Sequence, residues 1–294
     1  MLRLGIGERY YTVPYGFEKG IARMKGQGYS AMDYPEFGNT ETELFRKNHQ
    51  QFTEYLEYQA MVCNREGIEI FQTHGPWRYP PRDFTEEDRA ERFEKMSRAI
   101  EGTAILRCKN IVIHPLMPFT INDEGHEKET YEINLDFFGR LCKVAEEYGV
   151  IINFENMPMR HFALASTSEM LKLVKEIDSD YFKVCLDTGH SSAIGNLPAE
   201  DVRLLGKEYL SSLHIHDNDG RHDYHWYPFA GVIDWKDFCN ALCEIQYDGV
   251  LNLEVGRQKN LPEELRELEE VFLYRRIECL AKMVVGENIK CDNY

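Results

Sequence analysis

The sequence predicts one closed (β/α)8 barrel over residues 1–294. Three observations predict it. Short β-rich runs alternate with longer amphipathic ones, the alternation repeats eight times, and no break in composition marks a second domain. The expected strands are residues 2–6, 31–34, 68–72, 110–113, 150–154, 182–186, 210–215 and 250–255. Strictly alternating units imply parallel strands with right-handed crossovers, and eight of them favour a closed barrel over an open sheet. No Gly-x-Gly-x-x-Gly follows the first strand, so a dinucleotide fold has no support.

The helical segments carry their own signals in chain order. Thr40 with Glu43, and later Ser166 with Glu169, have capping-box spacing, in which each side chain satisfies a free backbone N–H of the other. Gly67, Gly149 and Gly249 stand at helix-to-strand junctions, where a left-handed residue ends a helix at little cost. Tyr131, Leu135, Phe138, Cys142 and Ala145 step by four and three, which predicts one apolar helix face. The helix expected over 265–284 carries Leu268, Val271, Phe272, Tyr274 and Leu280, and either packs on the barrel or forms a subunit interface in a homo-oligomer.

Charge narrows the function. The chain has 34 basic and 50 acidic residues, a net charge of -16. Such a surface repels phosphate backbones and argues against a nucleic-acid partner. Residues 1–5 run straight into a strand without a leader pattern, and no apolar run approaches the roughly 20 residues of a membrane span. The eight cysteines form no Cys-x-x-Cys pair, and most fall on helix or strand positions, where a buried thiol acts as a small hydrophobe. A reduced, cytoplasmic protein is expected.

The functional signal lies where the strands end. Strand 3 closes in Thr73-His74-Gly75-Pro76-Trp77, strand 4 in Ile113-His114-Pro115, and strand 5 in Asn153-Phe154-Glu155-Asn156. Strand 6 closes in Leu186-Asp187-Thr188-Gly189-His190, and strand 7 in Leu213-His214-Ile215-His216-Asp217, with Asp223 and His225 in its loop; strand 8 closes in Leu253-Glu254-Val255. Eight of the ten histidines fall at or just after these ends. Imidazoles and carboxylates converging on one barrel mouth form a ligand set for a divalent metal, and a cation relieves the repulsion between the carboxylates. Asp187 is also suited to cap the turn that follows it. Asp219 and His222 are read as solvated turn residues. Trp77, Tyr79, Trp226, Tyr227 and Phe229 are expected to wall the mouth.

The ordered segments His-Pro, Phe-Glu-Asn, Leu-Asp-Thr-Gly-His, His-Ile-His-Asp-Asn and Leu-Glu-Val resemble the xylose isomerase-like TIM barrel superfamily along essentially the whole chain. That superfamily holds sugar isomerases, ketose 3-epimerases, inosose dehydratases and the endonuclease IV enzymes. Resemblance to the epimerases implies one metal on Glu155, Asp187, His214 and Glu254, with the two glutamates moving a proton through an enediolate on opposite faces of the substrate carbon. It also implies a substrate contact from His190; His161, Arg221, Trp77 and His216 are further candidate substrate contacts. The chain departs from the epimerases at two places. His161 stands where they carry a second Glu, and Gly220 where they carry an Arg, with Arg221 one step off.

Resemblance to endonuclease IV implies further metal ligands at His74, His114, His190, Asp223 and His225, and a multinuclear zinc phosphodiesterase. The acidic charge opposes DNA as substrate, as does the scarcity of basic residues in the loop after strand 3, which has only Arg78 and Arg82. The expectation is therefore a metal-dependent isomerase or epimerase of carbohydrate metabolism, acting on a sugar, sugar phosphate or polyol, with a dehydratase or lyase as a related alternative. The cofactor is Mn2+ or Zn2+, with Mg2+ and Co2+ as alternatives.

Overall fold

A computed structural model of the chain describes residues 2–77, 83–120, 123–257 and 260–286. Its strands are β1 (Arg3–Gly7), β2 (Ala31–Tyr34), β3 (Glu69–His74), β4 (Asn110–Ile113), β5 (Ile151–Glu155), β6 (Phe182–Asp187), β7 (Leu210–His214) and β8 (Val250–Leu253). The helices among the described residues are α1 (Arg9–Tyr15), α2 (Phe17–Gln27), α3 (Glu43–Arg46), α4 (His49–Glu66), α5 (Glu86–Ile105), α6 (Glu127–Tyr148), α7 (Thr167–Ile177), α8 (Thr188–Ala193), α9 (Pro198–Tyr209), α10 (Trp235–Glu244) and α11 (Glu263–Val284). The strands form one parallel sheet in the order β7-β6-β5-β4-β3-β2-β1-β8. A short seam just past β7 and β8 brings its ends together: Ile215 N donates to Asn252 O at 2.8 Å and Glu254 N to Ile215 O at 3.1 Å. The expected (β/α)8 barrel is therefore present, nearly closed, with every strand within two residues of its predicted ends.

The two-residue period of a strand sends alternate side chains to opposite faces. Outside, Phe138 of α6 packs on Phe154 of β5 and Phe182 of β6, with centroids 4.7 and 5.4 Å apart. On the other face, Asn153 precedes Glu155, Cys185 precedes Asp187, and Ser212 precedes His214. The register pairs Cys185 with Ser212 and Asp187 with His214. The sheet thus lifts one ring of polar side chains to the carboxyl end of the barrel.

Several local expectations hold and others are corrected. Ser166 and Glu169 form the capping box of α7, and Gly67 and Gly149 take left-handed conformations after α4 and α6. The Thr40–Glu43 box does not form. Thr42 is the residue before α3 and makes no side-chain cap, while Asn48 with Gln51 and Thr85 with Asp88 cap α4 and α5. After α10 the left-handed residue is Gln246 (φ 57°), not Gly249. Gly249 is required for another reason: a Cβ there would lie 2.3 Å from Tyr247 Oη.

The buried face of α6 is rotated from the expected one. Phe138, Cys142 and Ala145 are buried together with Asn134, Phe137 and Leu141, whereas Tyr131 and Leu135 are half-buried. In α11, Leu273, Ile277 and Leu280 pack on the barrel, and Leu268, Val271 and Phe272 face outward. No helix among the described residues is long and apolar enough to cross a membrane. Seven cysteines are free thiols; Cys291 lies outside the described residues, as do Arg78, Tyr79 and Arg82.

Candidate metal centre

The six strand ends singled out above meet at one mouth. Their side chains sort into three adjoining groups whose ligand atoms lie within 4.8 Å of one another: Glu155, Asp187, His214 and Glu254; His74, His114 and Glu155; and His190, His216, Asp223 and His225. Cys185 also approaches Glu155 and His214 from below. Glu155 joins the first two groups. Its Oε1 lies 2.7 Å from His214 Nδ1, and its Oε2 lies 2.6 Å from His114 Nε2 and 3.5 Å from His74 Nε2. Glu254 Oε2 lies 3.2 Å from the same His214 nitrogen. In the third group, Asp223 Oδ2 is 3.3 Å from both His190 Nε2 and His225 Nε2.

The Asp187-Thr188-Gly189-His190 segment shows how closely these residues are specified. Asp187 caps α8, its Oδ1 accepting from His190 N at 2.7 Å, and the same oxygen lies 2.9 Å from His216 Nε2. Thr188 Oγ1 accepts from His216 N at 3.0 Å and donates to His216 O at 2.8 Å, tying β6 to β7. Gly189 lies against the His216 ring, where an added Cβ would come within 1.8 Å of a ring carbon. Asn156 clamps the neighbouring strand ends, donating to Asp187 O at 3.0 Å and accepting from Asp187 N at 2.7 Å.

The long loop after β7 is organised by Asp217. Its buried carboxylate accepts from Asn218 N, Gly231 N, Ile233 N and Trp235 Nε1 at 2.9, 2.9, 3.3 and 2.9 Å. A two-bond bridge between Asp217 and Trp226 then returns Asp223 and His225 to the mouth. His225 is held at φ 51°, a strained conformation of the kind that collects at functional sites.

The electrostatics of the ring call for positive charge. Burial pushes Glu155 up, but His214 and His114 outweigh it and hold the carboxylate well below its usual range. Burial also opposes ionisation of Asp187, yet His190 and His216 bring it down to about 2. Burial disfavours charged His190 and His225, but the surrounding carboxylates raise both to about 10. Burial wins at Glu254, which it raises, and at His114, which it lowers to about 4. Glu155 Oε2 and Glu254 Oε2 are buried without a hydrogen-bond partner, although ring nitrogens approach to 2.6 and 3.2 Å. Acceptors that crowd a common point without aligned donors fit a cation rather than a hydrogen-bond network. The donor set therefore fits a divalent metal.

A cavity of about 370 Å3 opens over the ligands, walled by Trp77, Met157, Pro158 and Met159. Trp77 is where the sequence placed it, 4.4 Å from the His114 ring. Other expected substrate contacts lie elsewhere. His161 and Arg221 are exposed and do not line this cavity, and His216 is fully buried behind Asp187. Trp226 stacks on Tyr224, Tyr227 bonds to Glu269, and Phe229 packs near Trp235, so the aromatic wall reduces to Trp77 among the described residues. As expected, Asp219 and His222 pair with each other in an exposed turn.

Sequence reasoning missed Asp33. It is the penultimate residue of β2, is 3 % exposed, and places Oδ2 3.1 Å from His214 Nε2. The available signal was an acidic residue inside the short strand Ala31-Met32-Asp33-Tyr34, a position that seldom takes one unpaired.

A parallel barrel with a ring of His, Asp and Glu at its carboxyl mouth defines the class. Residues 27–273 match the family described as xylose isomerase-like TIM barrel, and the chain belongs to that family. It is 31% identical over 227 residues to the uncharacterized protein MJ1311 of Methanocaldococcus jannaschii, covering 76% of this chain and 75% of that protein. It is 27% identical over 129 residues to a D-psicose 3-epimerase of Ruminiclostridium cellulolyticum, covering 44% of this chain and 42% of that one. Among solved structures, a D-tagatose 3-epimerase-like protein superposes with a TM-score of 0.76 at 22% identity, over 97% of this chain and 99% of the other. The IOLI protein with a bound zinc atom superposes at 0.74 and 18% identity, over 98% and 100%.

Proposed function

We propose that this protein is a divalent-metal-dependent isomerase or epimerase of a small carbohydrate. The observation that carries the reading is the convergence of Glu155 and Glu254 with Asp187 and His214 beneath a small cavity. These four residues would hold one ion, which when bound supplies a Lewis acid for a substrate oxygen. Three carboxylates and one imidazole suit Mn2+ or Mg2+; zinc or Co2+ would suit the histidine-rich groups beside them.

The proton chemistry belongs to the chain. His114 and His214 keep Glu155 ionised, so it serves as the base that takes a proton from the carbon beside a carbonyl. Glu254 faces Glu155 across His214 and serves as the group that returns a proton. Delivery to the opposite face of the same carbon gives epimerisation, and delivery to the neighbouring carbon gives isomerisation. Trp77, Met157 and Met159 exclude water and offer apolar surface to the sugar. A second cavity of about 510 Å3 along β1 and β8 shares Glu254 and leaves room for the rest of a larger substrate.

The test is solvent isotope exchange. Protein loaded with Mn2+ or Zn2+ is incubated with a panel of ketoses, aldoses, polyols and their phosphates in deuterated water, and carbon-bound deuterium is followed by NMR. Exchange is expected with at least one member, and Glu155→Gln should slow it by about 10²–10⁴-fold. No exchange with any member refutes the reading.

One observation favours a second reading. The two additional ligand groups give room for a multinuclear zinc phosphodiesterase. Against it, no Lys or Arg is among the described residues lining the cavity over the ligands. Chelator-sensitive nicking of abasic duplex DNA would favour this reading over the first.

A further inference from the structure

The histidines at the mouth do not all present the same nitrogen. His74, His190 and His225 turn Nδ1 to the backbone carbonyls of Gly75, Asn156 and Glu254, at 3.0, 2.7 and 2.9 Å. His114 Nδ1 meets no partner among the described residues. His74, His114, His190 and His225 therefore direct Nε2 at the carboxylates. His214 is reversed: its Nδ1 faces Glu155 and Glu254, and its Nε2 meets Asp33 Oδ2 at 3.1 Å. Asp33 is itself fixed, because its backbone carbonyl accepts from Glu8 N at 3.0 Å and its strand is paired on both sides.

We propose that Asp33 is a positioning residue that locks His214 in the Nε2–H tautomer and so makes the Glu155–Asp187–His214–Glu254 group the first and tightest of the three to take a metal ion. The inference rests on the metal-binding reading above and goes beyond it, assigning both a residue and an order of occupancy. The physical argument is short. A metal ion displaces the Nδ1 proton that faces Glu155 and Glu254, and an acceptor on Nε2 holds the one proton that remains away from the cation. A carboxylate acceptor also raises the basicity of the ring more than a backbone carbonyl does, and such outer partners typically contribute about 10–100-fold in metal affinity. Among His74, His114, His190, His214 and His225, only His214 has a carboxylate within hydrogen-bond distance on the nitrogen turned away from its ligand group; the others turn to carbonyls or to no partner among the described residues, and His216 turns its Nε2 to Asp187. The four-residue group also brings three carboxylates, against one in each of the others.

The test is stepwise Co2+ titration of metal-free protein, followed by visible absorbance and calorimetry. It is run on the native chain and on Asp33→Asn, Asp33→Ala and Asp33→Glu. The native protein should show one tight step followed by weaker ones. Asp33→Asn and Asp33→Ala should weaken the first step about 10–100-fold and leave the later steps within about threefold, and Asp33→Glu should restore part of the loss. Long-range 1H–15N NMR of the Zn2+-loaded native chain should find the remaining His214 proton on Nε2, and Asp33→Ala should weaken that preference. If Asp33→Ala fails to fold by circular dichroism, the near-isosteric Asp33→Asn decides. A native first step that survives unchanged in the Asn and Ala variants overturns the role of Asp33 while the metal reading stands. Failure of the native chain to bind any ion overturns both.

Discussion

Gly189→Ala should damage the protein far more than a single methyl group suggests. The new Cβ would lie 1.8, 2.2 and 2.6 Å from three atoms of the His216 ring, which is fully buried. Two escapes exist. The ring rotates away and gives up its contact with Asp187, or α8 shifts and gives up the bond from His190 N to Asp187 together with that from Asn218 Nδ2 to Gly189 O at 2.7 Å. A hydrogen bond to a charged group contributes about 1.5–3 kcal/mol, and overpacking a well-filled site costs about 1–3 kcal/mol. The expected loss is thus roughly 3–5 kcal/mol, measured by urea unfolding in the presence of chelator so that metal binding does not mask it. Gly139→Ala is the control. Gly139 lies inside α6 with nothing within 4 Å of its added Cβ, and there the change should stabilise by about 0.5–1 kcal/mol. A Gly189→Ala loss below about 1 kcal/mol, on the scale of an ordinary surface change, would mean that the packing of the Asp-Thr-Gly-His turn against His216 has been misread.

Two further outcomes follow from buried carboxyl groups. Burial raises Glu8 from 4.5 to about 8, with Thr12 as its hydrogen-bond partner. The folded chain therefore keeps this proton between those pH values while the unfolded chain releases it. Its contribution to stability is fully present below pH 4.5, falls as pH rises, and levels off above about 8. At about 1.4 kcal/mol per pH unit the fall amounts to a few kcal/mol. Glu8→Gln should remove this slope, and equal slopes for the two proteins between pH 5 and 8 in urea melts would count against it. Asp217→Ala strips an acceptor from four donors, three of them buried, so it should cost roughly 3–4 kcal/mol and lower metal stoichiometry by loosening the loop that carries Asp223 and His225. Native stoichiometry with native stability in that variant would show that the loop is held by other means.

Much of this protein was legible before folding, and the reason is locality. Hydrophobic period, capping spacing and strand-end chemistry are written over a few residues, so the eight strands and the groups Glu155, Asp187, His214 and Glu254 could be read in order. The misreadings came where a neighbour distant in sequence decides. The buried face of α6 is set by Phe154 and Phe182 beneath Phe138 and by Phe93 of α5 beside Phe137, and Tyr131 is left half-covered. Gln246 takes the left-handed position expected at Gly249, and Gly249 instead makes room for Tyr247. His216 looked like a substrate contact until β6 and β7 were paired, which places it behind Asp187.

The sequence by itself determined a barrel whose strands end in metal-binding side chains. Only the tertiary structure decided how nine such residues, with His216, divide into three groups, which nitrogen each ring offers, and that Asp33 stands behind His214. The physical reason is distance along the chain: Asp33 and His214 are 181 residues apart, and only closure of the barrel brings the end of β2 against the end of β7.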